Sequence, residues 1–181
     1  MIFGIIGPIA SGKDAVANYL VKRYGFKKIV MSNFLRAEAR KRKIKCTRDN
    51  LRELQHKLRR RFGEDYLINK AIIEIKKRKL KKVVLDGLRT YIDVKIAKQE
   101  LHAKILIVDA DPAIRFERQK KRRRTGFDKT FKQFLEEEKK EQKEFHLEKT
   151  YKLADFRIDN SWTLERMKKN VDKIMNKIKD N

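Results

Sequence analysis

The chain has 181 residues, enough for one domain with a sizeable core, and its residues are 40% hydrophobic and 41% charged. Lys and Arg number 49 against 25 Asp and Glu, and the resulting charge of +24 favours anionic partners: nucleotides, nucleic acid or acidic lipid. Cys46, the only cysteine, excludes an internal disulfide, the three histidines argue against a zinc site, and no apolar run approaches the ~20 residues of a membrane helix.

The N-terminus lacks a basic segment ahead of its apolar residues, so no secretory signal is expected and the chain is read as cytoplasmic. Pro8 and Pro112 are the only prolines, and neither a linker nor a repeat interrupts residues 1–181, which are read as one unit. Ile2 to Ile6 form a nearly continuous apolar run, the pattern of a strand buried on both faces. It leads into Gly7-Pro8-Ile9-Ala10-Ser11-Gly12-Lys13, which has the G-x-x-x-x-G-K spacing. Ala15, Val16, Tyr19 and Leu20 then fall at helical spacing, so the motif lies between strand and helix as its chemistry requires. Glycines let successive backbone N–H groups turn toward one anion, the helix start adds its positive dipole end, and the Lys13 ammonium reaches the β and γ phosphates. Residues Gly7 to Ala15 are therefore predicted to hold ATP. The position after Lys13 ordinarily carries a hydroxyl that binds Mg²⁺, but here it is Asp14, followed by Ala15. Asp14 either holds the ion through a water or serves only as an acidic first-turn residue.

A second strand is predicted at Ile29-Val30-Met31, followed by a helix with Ser32 as its N-cap. Arg36, one turn into that helix, is a candidate clamp for the phosphate of an acceptor. Leu51, Leu54, Leu58 and Phe62, and then Leu67, Ile68, Ala71, Ile72 and Ile75, form helical stripes that read as core faces. Val83-Val84-Leu85 is the third strand and ends in Asp86-Gly87-Leu88-Arg89. An acidic residue at a strand tip beside a phosphate loop is the usual partner of Mg²⁺, whereas Asp-Gly is also a plain turn dipeptide. Arg89 would face the same crevice and suits bidentate phosphate binding.

Ile105 to Val108 is the fourth strand, and Asp111-Pro112 reads as an N-cap with Pro at the first helical position. The helix after it carries Arg115 and Arg118, then the run Lys120 to Arg124 and Thr125-Gly126. This is the composition of a lid whose Arg118 and Arg122 neutralise charge on a phosphoryl group in transfer, or of a nucleic-acid patch. Phe156-Arg157-Ile158 is a fifth strand, and Leu164, Met167, Val171, Ile174, Met175 and Ile178 mark a final amphipathic helix. Strands alternating with helices predict a parallel sheet with helices on both faces and ligands beyond the carboxyl ends of the strands.

Gly7 to Lys13, Ser32 to Arg36, Asp86 to Arg89, the lid arginines and Ala154-Asp155-Phe156-Arg157-Ile158-Asp159-Asn160 together resemble the nucleoside monophosphate kinase superfamily. More narrowly, the chain is similar to the P-loop ATPases grouped with dephospho-CoA kinase and the deoxynucleotide monophosphate kinases, some of which are fused to a dCMP deaminase domain. Thr47 to Leu67, with Phe62-Gly63-Glu64-Asp65, is similar to the substrate-side helices of that group. The resemblance implies a three-layer α/β fold with a five-stranded parallel sheet, a helical substrate-binding region near residues 33–80 and a helical lid near 118–130. Asp14-Ala15 and the strongly basic lid depart from the group, and no deaminase part is expected before the chain ends at Asn181.

The function this implies is transfer of the γ-phosphoryl group from ATP·Mg²⁺ to a small acceptor, first of all a (deoxy)nucleoside monophosphate. Lys13, Arg118 and Arg122 would be catalytic, Arg36 and Arg89 would hold the acceptor, and Asp14 and Asp86 would hold the metal, directly or through water. A hydroxyl acceptor, as in dephospho-CoA, would need Asp14 or Asp86 as a base. The basic runs Arg40 to Lys43, Arg59 to Arg61 and Lys120 to Arg124 leave open nonspecific nucleic-acid binding or an ATPase that assists RNA handling. No aromatic residues are interleaved in them for base stacking. A nucleotide-binding protein without transfer activity is the third reading.

Overall fold

The apolar runs become five parallel strands: β1 (Ile2–Ile6), β2 (Lys27–Val30), β3 (Val83–Asp86), β4 (Lys104–Asp109) and β5 (Phe156–Asp159). The structure is a computed structural model and describes residues 1–121 and 129–179. The strands lie in the order β2-β3-β1-β4-β5. The chain steps outward from β1 to β2, returns to β3 and then crosses β1 to reach β4. That reversal makes the carboxyl end of β1 a topological switch point, where open α/β sheets leave a crevice.

Around the sheet stand α1 (Lys13–Tyr24), α2 (Met31–Lys41), α3 (Arg48–Phe62), α4 (Tyr66–Lys77), α5 (Tyr91–Leu101), α6 (Pro112–Lys121), α7 (Phe131–Glu144), α8 (Leu147–Tyr151) and α9 (Leu164–Lys179). Successive strand side chains alternate between two cores. Phe3, Ile5, Val84, Leu106, Val108 and Ile158 pack with α1 and α9 through Val16, Leu20, Met167 and Val171. Ile6, Val83, Leu85, Ile105 and Ile107 pack on the other face with Leu35 of α2, Ile68 and Ile72 of α4 and Val94 of α5. Each such side chain, once fully buried, contributes about 1.5–3 kcal/mol. Gly4 of β1 admits a close approach: a Cβ there would lie 2.6 Å from Leu88 Cδ1 and 2.8 Å from Ile105 Cδ1. The segment after β3 thus seats directly on the central strand.

Two boundaries differ from the sequence expectation. Met31 begins α2 rather than ending β2, and Val30, not Ser32, occupies the N-cap position, with no side-chain cap. The strand runs straight into the helix, so Ser32 falls inside the first turn and accepts a hydrogen bond from Arg36. Asp111 does cap α6, its Oδ1 accepting from the Ala113 N–H at 2.8 Å. The run Arg59 to Arg61 is not a uniform basic face, because Arg59 is buried and donates to Asp93 Oδ2 at 2.9 Å. Among the described residues, no helix is long and apolar enough to cross a membrane.

Candidate nucleotide site

The loop between β1 and α1 is built on left-handed backbone. Gly7, Ala10 and Gly12 have φ of 140°, 59° and 95°. The two glycines are required for space as well. A Cβ on Gly7 would lie 2.0 Å from the Val108 carbonyl oxygen, and one on Gly12 would lie 2.0 Å from Asn160 Nδ2. Helix α1 starts at Lys13 with Gly12 as N-cap and, among the described residues, no side-chain cap hydrogen bond, which leaves N–H groups of its first turn available to an anion.

Two carbonyls of the loop, those of Ile9 and Ser11, are held by side chains from β5 and α6 and the turn beside them. Asn160, at the end of β5, donates from Nδ2 to the Ser11 carbonyl at 2.8 Å. Arg118 of α6 donates to the Asn160 carbonyl at 2.7 Å and to the Ser11 carbonyl at 3.5 Å. Arg115 donates through Nε to the Ala110 carbonyl at 2.8 Å and through Nη1 to the Ile9 carbonyl at 3.5 Å, while its fork is held by Glu138 of α7. With the Ile9 and Ser11 carbonyls engaged in this way, the loop can turn N–H groups toward the crevice. Ser11 is fully buried, and its hydroxyl has no hydrogen-bond partner among the described residues.

In front of the loop lies a cluster of charges. Lys13 Nζ donates to the carbonyls of Gly7 at 2.8 Å and Pro8 at 2.6 Å. Burial, and then the neighbouring Arg89 guanidinium, push the Lys13 ammonium down to about 8, against the opposing pull of Asp86, Glu141 and Asp14. Asp86, at the tip of β3, is buried, and Asp14 stands exposed in the first turn of α1. Lys28 of β2 joins them, its Nζ 2.7 Å from Asp14 Oδ1 and 3.1 Å from Asp86 Oδ2. Burial raises the Asp86 carboxyl above its usual range, with Lys28 opposing and the adjacent Asp14 adding to the rise. Burial disfavours the charge on Lys28, but its two carboxylate partners outweigh that and hold the ammonium above its ordinary value. Arg89 pairs with Glu141 of α7.

Of the residues singled out in the sequence, Lys13, Asp14, Asp86 and Arg89 converge at this crevice. Arg36 instead bonds within its own helix, to Ser32 Oγ at 2.5 Å and Asn33 Oδ1 at 3.4 Å. Arg118 lies on the loop's own carbonyls, and Arg122 lies outside the described residues, as does most of the expected lid. Sequence reasoning missed Lys28, Glu138 and Glu141. A lysine two residues before the end of a parallel strand was the available signal for Lys28, but its partners appear only once β2 is set beside β3.

The residues present fit Mg²⁺. Asp14 and Asp86 offer oxygen ligands from two neighbouring elements, and the Lys28 ammonium between them is a stand-in cation. Two carboxylates match an ion that is bound by one or two carboxylates, phosphate oxygens and water; no group of three or more metal-binding side chains occurs among the described residues.

A central parallel sheet with a glycine loop, a lysine and an acidic strand tip at its switch point defines a P-loop kinase-like, nucleotide-binding fold. The sequence profile of the family described as AAA domain matches residues 6–136, and the chain belongs to that family. It also shares 31% identity over 186 aligned residues with a UPF0200 protein of Pyrococcus horikoshii, an alignment covering 100% of this chain and 99% of the relative. Among solved structures, shikimate kinase from Bacteroides thetaiotaomicron superposes with a TM-score of 0.62 at 11% identity, covering 99% of this chain and 98% of that one. TT1252 from Thermus thermophilus superposes with a TM-score of 0.59 at 21% identity, covering 98% and 97% respectively. At those identities the structural likeness concerns the fold.

Proposed function

We propose that this protein is an ATP-dependent phosphotransferase that passes the γ-phosphoryl group to a phosphorylated small acceptor, a (deoxy)nucleoside monophosphate. The observation that carries this reading is the convergence of Lys13, Arg89, Asp14 and Asp86 on the uncapped start of α1. The loop from Gly7 to Ala15 cradles the polyphosphate of ATP. Lys13 exchanges the Gly7 and Pro8 carbonyls for phosphate oxygens, and a point charge there stabilises the transferring group. Arg89 leaves Glu141 to grip the acceptor, with Arg36 as the second clamp from α2. Arg118 acts by keeping the loop in shape through Ser11 and Asn160, and the proposal extends to Arg122 as a charge-neutralising partner in the lid. Mg²⁺, held by Asp14 and Asp86 directly or through water, would supply neutralisation of phosphate charge. A monophosphate acceptor is already ionised near neutral pH, so the site needs no general base.

The test is a panel of nucleoside and deoxynucleoside monophosphates, dephospho-CoA and shikimate, each incubated with ATP and Mg²⁺. Transfer to one or more monophosphates, abolished in Lys13→Met, is the expected result. No turnover of any acceptor while ATP still binds would overturn it. Transfer only to a hydroxyl acceptor would redirect the reading to Asp86 or Asp14 as a base. The activity is assigned to the cytoplasm, in keeping with the exposed, unpaired Cys46.

A further inference from the structure

Lys28 is not one of the residues of the phosphate loop, yet its ammonium bridges two carboxylates of the crevice, Asp14 and Asp86. It sits on β2, the outermost strand on its side of the sheet, in register with Val84, while Val30 stands opposite Asp86. The lysine stem therefore runs toward the strand ends and carries the ammonium to the tip of β3. There it meets three oxygens: Asp14 Oδ1 at 2.7 Å, Asp86 Oδ2 at 3.1 Å and Asn18 Oδ1 at 3.3 Å. An ammonium has three donors, so all three are used. These ligands come from β3 and from the first turns of α1, so the cation position is fixed by the same elements that form the loop.

We propose that Lys28 is the resident counter-ion of the metal position: it holds Asp14 and Asp86 together in the metal-free protein and competes with the divalent cation for them. The inference rests on the nucleotide-site reading and says how that site handles its charge. Two adjacent carboxylates repel each other and would also repel a polyphosphate. With Lys28 between them the pair carries one net negative charge instead of two. A dication entering alone must displace the ammonium or stand beside it, so the bare metal binds weakly. When nucleotide arrives as well, its phosphates give the displaced ammonium a new partner, and metal and nucleotide enter together. The same arrangement accounts for Asp14 at a position where a neutral hydroxyl is usual: the added negative charge is offset by Lys28.

Mn²⁺ binding to the nucleotide-free full chain, read by electron paramagnetic resonance, tests this directly in the wild type, Lys28→Met and Lys28→Gln. Both variants should bind Mn²⁺ about tenfold more tightly than the wild type, and adding Asp86→Asn should erase the gain. Equal or weaker Mn²⁺ affinity in the folded variants overturns the proposal. Lys28→Gln keeps a polar side chain at the same place and guards against misfolding of the methionine variant. A second arm measures ATP binding in excess chelator, where Lys28→Met should lose about tenfold relative to wild type. If wild-type protein binds no ATP with or without metal, the nucleotide reading fails, while the Mn²⁺ comparison still decides the role of Lys28.

Discussion

Lys13 in the ligand-free protein is a cation turned back onto its own loop, and it holds its proton less tightly than an exposed lysine. Its charge is present below about 8 and lost as pH rises through that value. A bound polyphosphate favours the charged form, so nucleotide binding above this point must take up a proton. Calorimetry of ATP binding in buffers of different ionisation enthalpy should show proton uptake at pH 9 and little at pH 7, with affinity falling by up to about tenfold per pH unit above 8. Lys13→Met should abolish both the affinity and the uptake. Gly12 gives a second residue-level prediction. Alanine there meets a positive φ of 95° and the Asn160 amide at 2.0 Å. Gly12→Ala should lower stability by about 2 kcal/mol and weaken nucleotide binding, and Gly12→Ala with Asn160→Gly should regain part of the stability in chemical denaturation.

Helices α6 and α7 are joined by an ion pair whose side chains are only 5% and 11% exposed, Arg115 with Glu138. Removing one partner strands a buried charge. Glu138→Leu should therefore cost about 3–5 kcal/mol in urea denaturation, whereas Arg115→Met with Glu138→Leu should recover most of that loss. This pair also marks what the sequence could and could not reveal. The phosphate loop was legible because its spacing is local, and Asp86 because it ends a continuous apolar run. The arrangement of Lys28, Asp14 and Asp86 was not, since it depends on β2 lying beside β3 across more than fifty intervening residues. Helix α7 showed no stripe because Phe134 is its one buried residue, and Ser32 misled because no loop separates β2 from α2. Arg36 lies in the expected helix, and its bonds to Ser32 and Asn33 within that helix are another arrangement that spacing alone does not reveal.

Across the whole molecule the charge of +24 is partly spoken for by internal anions, as the buried Arg59 and Arg115 show. What remains outside acts on polyanions without reading sequence. Binding of generic single-stranded RNA, followed by fluorescence anisotropy, should show no base preference and should fall by at least about tenfold between 50 and 200 mM salt. Strong binding that persists at the higher salt would instead mean a built interface. The position of β1 has a consequence for how the protein comes into being. The central strand is made before its neighbours β3 and β4, which are synthesised some eighty and a hundred residues after it. The glycine loop packs against Val108 and is held by Asn160, which emerge from the ribosome long after it. Nucleotide capture by a nascent chain should therefore switch on only once Asn160 has emerged and β5 has joined the sheet, and chains released before Asn160 should show none.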